Sequence, residues 1–467
     1  MKKYDLVIIG GGAAGFAAAI KASEFEVKIA MIEAENLGGI CVNVGCVPTK
    51  HLLAVGYLYK LGKLKRFEGI GLEQKFLDFR KVIEQKEKLI NELRKEKYIN
   101  VANDFPNVDI YKEKAQFISK NQVKVGKEIL QAEKFIIATG SSPNILKIRG
   151  IEKVEYLTNV EALTLKKLPK SLLIIGGRAL SLEFAQMYNN FGTKVTILQR
   201  SKRIIPDEEP EISLRLKEYL EFEGIGIHTN VQLKNIEQRG NEKLVTVMIE
   251  GKEREFKGDQ LLMATGRRPN TSQLGLEKAG VKVGQKNGAI LTNEKLETTA
   301  NHIWAAGDVR GIIMLETVAA KEGFIAANNA LSNKKLAVDF HSVPHAIFTD
   351  PQVASVGLTD EKAVQQGYQC KCRVLDMSLV PKASVISDTR GLIKMVIDAK
   401  TDRILGVHIL SPLAADVIHE AILTVKFKMT IDDIIDTVHI FPTLSESIKL
   451  VAQSFRKDIS KLSCCVE

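Results

Sequence analysis

The residues of this chain best suited to chemistry are cysteines, and four of its six fall into two telling pairs. Cys41 and Cys46 lie in Gly38-Gly39-Ile40-Cys41-Val42-Asn43-Val44-Gly45-Cys46-Val47-Pro48-Thr49-Lys50. In a regular helix, residues five apart rise about 7.5 Å along the axis, beyond the roughly 7 Å reach of a disulfide. Bridging them therefore needs a distorted turn, which Gly45 and the Asn43 region can supply, and Pro48 fits a bend. Lys50 adds a cation that favours thiolate over thiol. A zinc site wants further ligands close by, and the segment has none, so the pair reads as a redox centre. Cys464 and Cys465 are adjacent near the chain's end. Neighbouring Cα atoms are about 3.8 Å apart, short of the roughly 4.4–6.8 Å that an ordinary disulfide spans. Such a pair suits a different task, gripping a soft metal ion through two sulfurs. Cys370 and Cys372 alternate along a predicted strand and share one face. They are read as incidental, not as ligands.

Two strand–turn–helix units must position these sulfurs. The β-rich run Tyr4–Ile9 leads into Gly10-Gly11-Gly12-Ala13-Ala14-Gly15 and a helix predicted over Phe16–Ser23. Glycines there let the backbone approach a pyrophosphate seated on the helix N-terminus. A second strand, Val27–Ile32, ends in Glu33, placed for a ribose hydroxyl. The pattern returns at Leu172–Ile175, Gly176-Gly177-Arg178-Ala179-Leu180-Ser181, a helix over Leu182–Phe191 and a strand over Lys194–Leu198. Arg178 and Ser181 stand where two fingerprint glycines would be. Gln199 takes the place of the acid, followed by Arg200, Lys202 and Arg203. Losing the acid and gaining cations is the change expected when a 2′-phosphate must be held, so this second site is expected to prefer NADPH. Three further strands end on a small residue and glycine: Ile136-Ile137-Ala138-Thr139-Gly140, Met263-Ala264-Thr265-Gly266 and Trp304-Ala305-Ala306-Gly307-Asp308. Each allows close backbone approach, and Asp308 could bond a ribityl or phosphate group.

The 467 residues suggest about three domains, and the composition, 45% hydrophobic and 26% charged, is that of a globular protein. The net charge of +10 does not mark a nucleic-acid binder. Basic residues are interleaved with acids, as in Glu84-Gln85-Lys86-Glu87-Lys88 and Arg94-Lys95-Glu96-Lys97, a pattern of solvated helix faces. The start carries no signal-peptide cleavage pattern, and Leu6–Ile20 is broken by glycines and too short to span a bilayer. Six cysteines in so long a chain are no secreted disulfide scaffold. A cytoplasmic protein without membrane partner is expected.

Taken together, the glycine turn, the C-x4-C pair followed by proline and lysine, the nested second nucleotide fold and the Ala-Thr-Gly and Ala-Gly-Asp motifs resemble the flavoprotein disulfide reductases over essentially the whole chain. The resemblance is greatest to their mercuric ion-reducing branch, through Cys41–Lys50, Phe348-Thr349-Asp350-Pro351-Gln352-Val353-Ala354 and the ending Lys461-Leu462-Ser463-Cys464-Cys465. It implies an α/β fold with two nested Rossmann-like FAD/NAD(P)-binding domains and a C-terminal α+β dimerisation domain. The implied division is 1–145 with 271–342 for FAD, 146–270 for NADPH, and 343–467 for dimerisation. Implied FAD contacts are Gly10, Gly12, Ala14, Gly15, Glu33, Gly39, Thr139, Gly140 and Asp308. Implied NADPH contacts are Gly176, Gly177, Arg178, Gln199, Arg200, Lys202, Arg203 and Gly266. Lys50 and Glu183 would lie near the flavin, Cys46 would be the charge-transfer thiolate and Cys41 the interchanging sulfur. In a homodimer, the partner's Cys464 and Cys465 would pass Hg(II), delivered by small thiols, to Cys41 and Cys46. One departure matters. Relatives acting on organic disulfides carry a His-Pro motif whose histidine, oriented by a following Glu, is the general base, whereas here the segment is Phe441-Pro442-Thr443-Leu444-Ser445-Glu446. Phe441 cannot move a proton, which argues against a lipoamide-type or other thiol-disulfide reductase, the alternative reading. His439, two residues earlier, is kept as a possible substitute base.

Overall fold

Apolar runs too short for helices, separated by glycine turns, build the first unit of the fold. The computed structural model describes residues 1–64 and 66–459. In chain order this unit holds β1 (Lys2–Ile9), α1 (Ala13–Ala22), β2 (Ile29–Ile32), α2 (Gly39–Val44), α3 (Cys46–Leu61), α4 (Phe79–Arg94) and α5 (Asn100–Asn103). β3 (Val108–Tyr111), β4 (Ala115–Ser119), β5 (Gln122–Val125) and β6 (Glu128–Ile137) follow, and β7 (Ser141–Pro143) leads out of the unit. The sheet runs β3-β2-β1-β6-β5-β4, parallel from β3 to β6 and antiparallel beyond. Leu6, Val7 and Ile8 are fully buried, as expected for a strand covered on both faces.

The second unit repeats the logic with α6 (Asn159–Thr164), β8 (Ser171–Ile175), α7 (Ala179–Asn190), β9 (Lys194–Leu198), α8 (Pro210–Phe222) and β10 (Gly226–His228). An antiparallel meander of β11 (Gln232–Arg239), β12 (Glu242–Ile249) and β13 (Lys252–Gly258) precedes β14 (Gln260–Met263), which closes the parallel sheet β10-β9-β8-β14. The chain returns through β15 (Arg267–Pro269), which pairs antiparallel with β7, Arg267 opposite Pro143 and Pro269 opposite Ser141. β16 (Ile303–Ala305) then joins the first sheet alongside β6, and α9 (Glu316–Leu331) packs on α1. At the contact Gly323 leaves no room for a side chain, since a Cβ there would lie 1.9 Å from the Ala14 carbonyl oxygen.

The third unit is an antiparallel sheet ordered β17-β18-β21-β20-β19. Its elements are β17 (His345–Ile347), β18 (Gln352–Gly357), α10 (Asp360–Gln365), β19 (Cys370–Asp376), α11 (Pro381–Val385), β20 (Leu392–Asp398), β21 (Ile404–Ser411), α12 (Ala414–Lys426), α13 (Ile431–Asp436) and α14 (Glu446–Gln453). One face packs on α12 and α14. The other meets α8 of the second unit, where the buried Lys394 ammonium pairs with Glu209 at 2.8 Å and Glu211 at 3.0 Å.

The structure moves several sequence-derived boundaries. α1 begins at Ala13 and not Phe16, and α7 at Ala179 and not Leu182, each directly on its glycine turn. A helix meant to present free N–H groups to a phosphate must start there. β2 begins at Ile29, not Val27. Lys86 is not on a solvated face: it is buried in α4 and donates to the Leu163 carbonyl at 2.6 Å. A hydrophobic stem makes that burial tolerable once the ammonium has a partner. The stretch Gly39–Leu61 has the length and apolar composition of a membrane-crossing helix, yet it is two helices broken at Gly45, and α3 packs against α7.

Candidate redox site

Cys41 and Cys46 meet because the helix fails between them. α2 stops at Val44, Gly45 adopts φ −134° and ψ −111°, and α3 starts at Cys46 itself. A Cβ on Gly45 would come 2.8 Å from the Ile40 carbonyl oxygen, so the break needs glycine. Side chains brace the break, one of them giving the Val44 carbonyl the donor that Pro48 cannot supply. Asn159 donates to the Val44 oxygen at 2.6 Å, the Thr49 hydroxyl to the Gly45 oxygen at 2.7 Å, and Asn43 to the Gly39 oxygen at 2.7 Å. Arg94 fixes Asn43 in turn, at 2.7 Å.

The two thiols are made unlike by their surroundings. The Cys41 S–H donates to Cys46, which with burial pushes the Cys41 pKa far up. Cys46 is lowered, first by accepting that hydrogen bond and further by the Lys50 cation, against the opposing effect of burial. A thiolate and a thiol therefore coexist in the reduced pair, the state in which one sulfur is a nucleophile and the other a proton reservoir. Lys50, one helical turn after Cys46 on α3, is held by Glu183 of α7 at 2.7 Å. The other Glu183 oxygen accepts from the Phe348 backbone N–H at 2.9 Å, and the Lys50 ammonium lies 4.6 Å from the Phe348 ring centre. One buried carboxylate thus ties all three units together at the redox pair.

Two cradles of the same shape flank this centre. Gly10 has φ +114° and Gly176 φ +121°. A Cβ on either would sit 2.2 Å from a carbonyl oxygen, that of Ala138 in the first and of Ala264 in the second. Gly11 faces Glu33, whose carboxylate accepts the Gly11 N–H at 2.6 Å and the Glu35 N–H at 2.8 Å. Gly177 faces Gln199, whose amide donates to the Arg203 carbonyl at 3.2 Å. These bare backbone turns, with an oriented carboxylate in one and a neutral amide beside cations in the other, fit a dinucleotide in each. Near the first, Gly39 packs on Gly12, Ala14 and Gly15 open α1, and Thr139 and Gly140 follow β6, the Thr139 hydroxyl donating to the Asn270 carbonyl at 2.8 Å. The Ser141 hydroxyl donates to Asp308, and Arg267 donates to that same hydroxyl at 2.7 Å. In the second cradle Arg178 pairs with Asp207, Arg200 and Lys202 are exposed, and Gly266 has φ +96° with open space beside it. Ser181 is fully buried, its hydroxyl without a partner among the described residues.

The remaining expected residues lie elsewhere. Phe441 is 47% exposed, beside the more exposed Val438 and Ile440. Glu446 opens α14 with one carboxylate oxygen buried and unpartnered among the described residues, and burial raises its pKa. His439 is tied to its own segment and to α12. Its ring nitrogens are engaged by the Thr437 carbonyl at 2.9 Å and by Glu420 at 2.8 Å. Cys464 and Cys465 fall outside the described residues. Two groups near the redox pair escaped the sequence reading. Glu316, at the start of α9, opposes ionisation of both thiols. Tyr98, whose pKa burial pushes up to about 12, lies in ring contact with Phe16. Neither carries a local motif, so only the fold could bring them in.

Comparison with known proteins agrees with this geometry. Residues 4–323 match the family described as pyridine nucleotide-disulphide oxidoreductase, and residues 343–452 match its dimerisation domain. The chain is 43% identical over 462 residues to a mercuric reductase of Staphylococcus aureus, covering 99% of this chain and 84% of that protein. It is 37% identical to a dihydrolipoyl dehydrogenase of Thermus scotoductus, covering 98% of each. Among solved structures, the Cu(II) complex of the HOCl-induced flavoprotein disulfide reductase RclA from Escherichia coli superposes with a TM-score of 0.87 at 31% identity. That match covers 98% of this chain and 100% of the other.

Proposed function

The chain belongs to the pyridine nucleotide-disulphide oxidoreductases, and we propose that within them it reduces thiol-bound Hg(II) to Hg(0) in the cytoplasm. Its cofactors are FAD and NADPH, which when bound supply electron pairs to the Cys41/Cys46 centre. We assign the FAD cradle to 1–145 with 271–342, the NADPH cradle to 146–270 and dimerisation to 343–467. The exposed run Val438, Ile440 and Phe441 supports a homodimer in which this apolar edge is covered.

The observation that carries the reading is an intact thiol–thiolate pair in a chain whose expected base position holds Phe441. Exchange with an organic disulfide releases a thiolate leaving group that must be protonated, so it needs an acid–base residue. Metal capture carries its own acid: the one proton involved comes from Cys41, and the second small thiolate leaves unprotonated. Cys41, the outer interchanging sulfur, attacks first and displaces one small thiolate from mercury, its own proton leaving on that thiolate as the free thiol. The Cys46 thiolate then displaces the second small thiolate and becomes the second ligand, and mercury favours two soft sulfurs. Reduction of the dithiolate-bound ion by two electrons yields the neutral atom and frees both sulfurs as thiolates, and one proton taken up by Cys41 restores the resting pair. Lys50, held by Glu183, keeps Cys46 ionised throughout. Cys464 and Cys465 of the partner subunit would deliver the ion as a preformed dithiolate complex.

The test is NADPH oxidation driven by Hg(II) in excess thiol, with mercury vapour measured in the headspace. No vapour together with brisk lipoamide reduction would establish the second reading, a lipoamide-type reductase, which the Thermus relative favours. For the delivery role, Cys464→Ala with Cys465→Ala should slow turnover at limiting free thiol. A double variant that matches wild type on thiol-bound mercury removes that role.

A further inference from the structure

Cys370 and Cys372, read from sequence as incidental, acquire a third partner in the fold. Both sit on the edge strand β19, side chains on the face opposite α12 and α14. Asp360, at the start of α10, comes back over them. Its carboxylate accepts the Cys370 S–H at 3.0 Å, and one ligand atom from each of the three residues lies within 4.8 Å of the others. We propose that Asp360, Cys370 and Cys372 form a binding site for a thiophilic d10 divalent cation, separate from the redox pair and independent of the substrate proposed above.

Three features support it. First, the spacing fits. Two metal–sulfur bonds of roughly 2.3 Å at a tetrahedral angle set the sulfurs about 3.8 Å apart, so ligand atoms already within 4.8 Å of one another need to close by about 1 Å at most to share one ion. Second, the donors are held. β20 pairs Cys370 with Asp398 and Cys372 with Val396, and Asp360 is anchored by its N–H to Glu209 at 2.7 Å. Lys394, the nearby cation, is taken up by Glu209 and Glu211, leaving the Asp360 carboxylate for the thiols. Third, the shell behind the sulfurs is apolar, formed by Ala363, Val396 and Leu405 with Leu358 and Tyr368. Such a shell strengthens metal–thiolate bonds. Burial and the adjacent Asp360 charge raise both thiols, Cys372 to about 12. Without a metal they are neutral and unreactive; on binding, two S–H bonds break, two metal–sulfur bonds form and two protons pass to solvent. A disulfide is the weaker alternative: Cα atoms two apart on a strand are about 6.6 Å apart, at the far edge of what a disulfide tolerates.

The probe is Cd(II) on the dimeric holoenzyme. In a Cys464→Ser, Cys465→Ser background with Cys41 and Cys46 oxidised to the disulfide, only Cys370 and Cys372 offer thiols. One Cd(II) per chain should bind, seen by equilibrium dialysis and by its sulfur-to-metal charge-transfer absorbance. Adding Cys370→Ser and Cys372→Ser should bring the stoichiometry to zero, and Asp360→Asn should weaken binding by about tenfold or more. NADPH-dependent turnover should be unchanged by Cys370→Ser with Cys372→Ser in the otherwise native chain, which separates this site from the redox centre. Cadmium that binds equally after loss of both cysteines overturns the proposal. So does a background protein that retains its flavin and two titratable thiols yet binds no cadmium, or one in which Cys370 and Cys372 are found joined as a disulfide.

Discussion

At the residue scale, the site is an arrangement for keeping two chemically identical thiols different. Cys46 is lowered by Cys41 and Lys50 together, while Glu183 keeps Lys50 in place. Replacing Lys50 by Met should raise the Cys46 pKa, read from the pH titration of thiolate absorbance in the reduced enzyme. An unchanged titration would mean that the Cys41 hydrogen bond alone sets it. A depressed thiol pKa stabilises the reduced fold fully above the ordinary value of about 9 and less as pH falls through the lowered one. Lys50→Met should therefore lower the thermal midpoint of the reduced protein more at pH 9 than at pH 6. Lys50 was legible in sequence because it lies four residues after Cys46 on one helix, so both share a face. Glu183 was reached only through family likeness, and Glu316 and Tyr98 not at all, since each comes to the sulfurs from a distant part of the chain. Asp360 was missed for the same reason. Its approach to Cys370 depends on α10 and the following turn folding back.

At the element scale, what matters is a turn used twice. The Gly10–Ala138 and Gly176–Ala264 approaches are equally tight, and both glycines hold positive φ. An alanine at either place meets a backbone oxygen and a left-handed conformation, a cost of order 1–3 kcal/mol before any collision is relieved. Gly176→Ala should raise KM for NADPH about tenfold or more while the flavin remains bound. Gly10→Ala should instead release flavin on purification. If both variants lose flavin, the cradles are not the independent sites assigned to them. The strand Lys194–Leu198 was read to the residue because β-branched and aliphatic alternation ends at a polar stop. The starts of α1 and α7 were read three residues late. Ala13-Ala14-Gly15 and Ala179-Leu180-Ser181 look like turn, and only the need to aim N–H groups at a ligand draws the helix back over them. The break at Gly45 was anticipated, but not the three side-chain donors that brace it.

At the scale of the whole molecule, the units are joined by charges that water does not reach. Lys394 and Glu209 are each about 95% or more buried at the seam of the second and third units. Lys394→Met would leave Glu209 uncompensated and should cost about 3–5 kcal/mol. The check is a drop in thermal midpoint, with the double change Lys394→Met, Glu209→Leu recovering much of it. A drop that the second change does not relieve would assign the loss to packing. The nested arrangement was legible from motif order alone, whereas this seam was not, because its partners lie far apart in sequence and neither belongs to a motif. The same nesting has a further consequence at its doorway. The strand by which the chain leaves the first sheet, Ser141–Pro143, and the strand by which it returns, Arg267–Pro269, are hydrogen-bonded to each other, with Arg267 clasping the Ser141 carbonyl at 2.8 Å. An insertion whose two ends already touch imposes almost no closure cost on its host, whatever its length. The middle unit is thus an exchangeable insertion: a relative's version grafted between these two short strands should leave the first sheet folded, and should leave the sulfurs unchanged only if it also supplies the Glu183 carboxylate to Lys50 and matches the Lys394 seam.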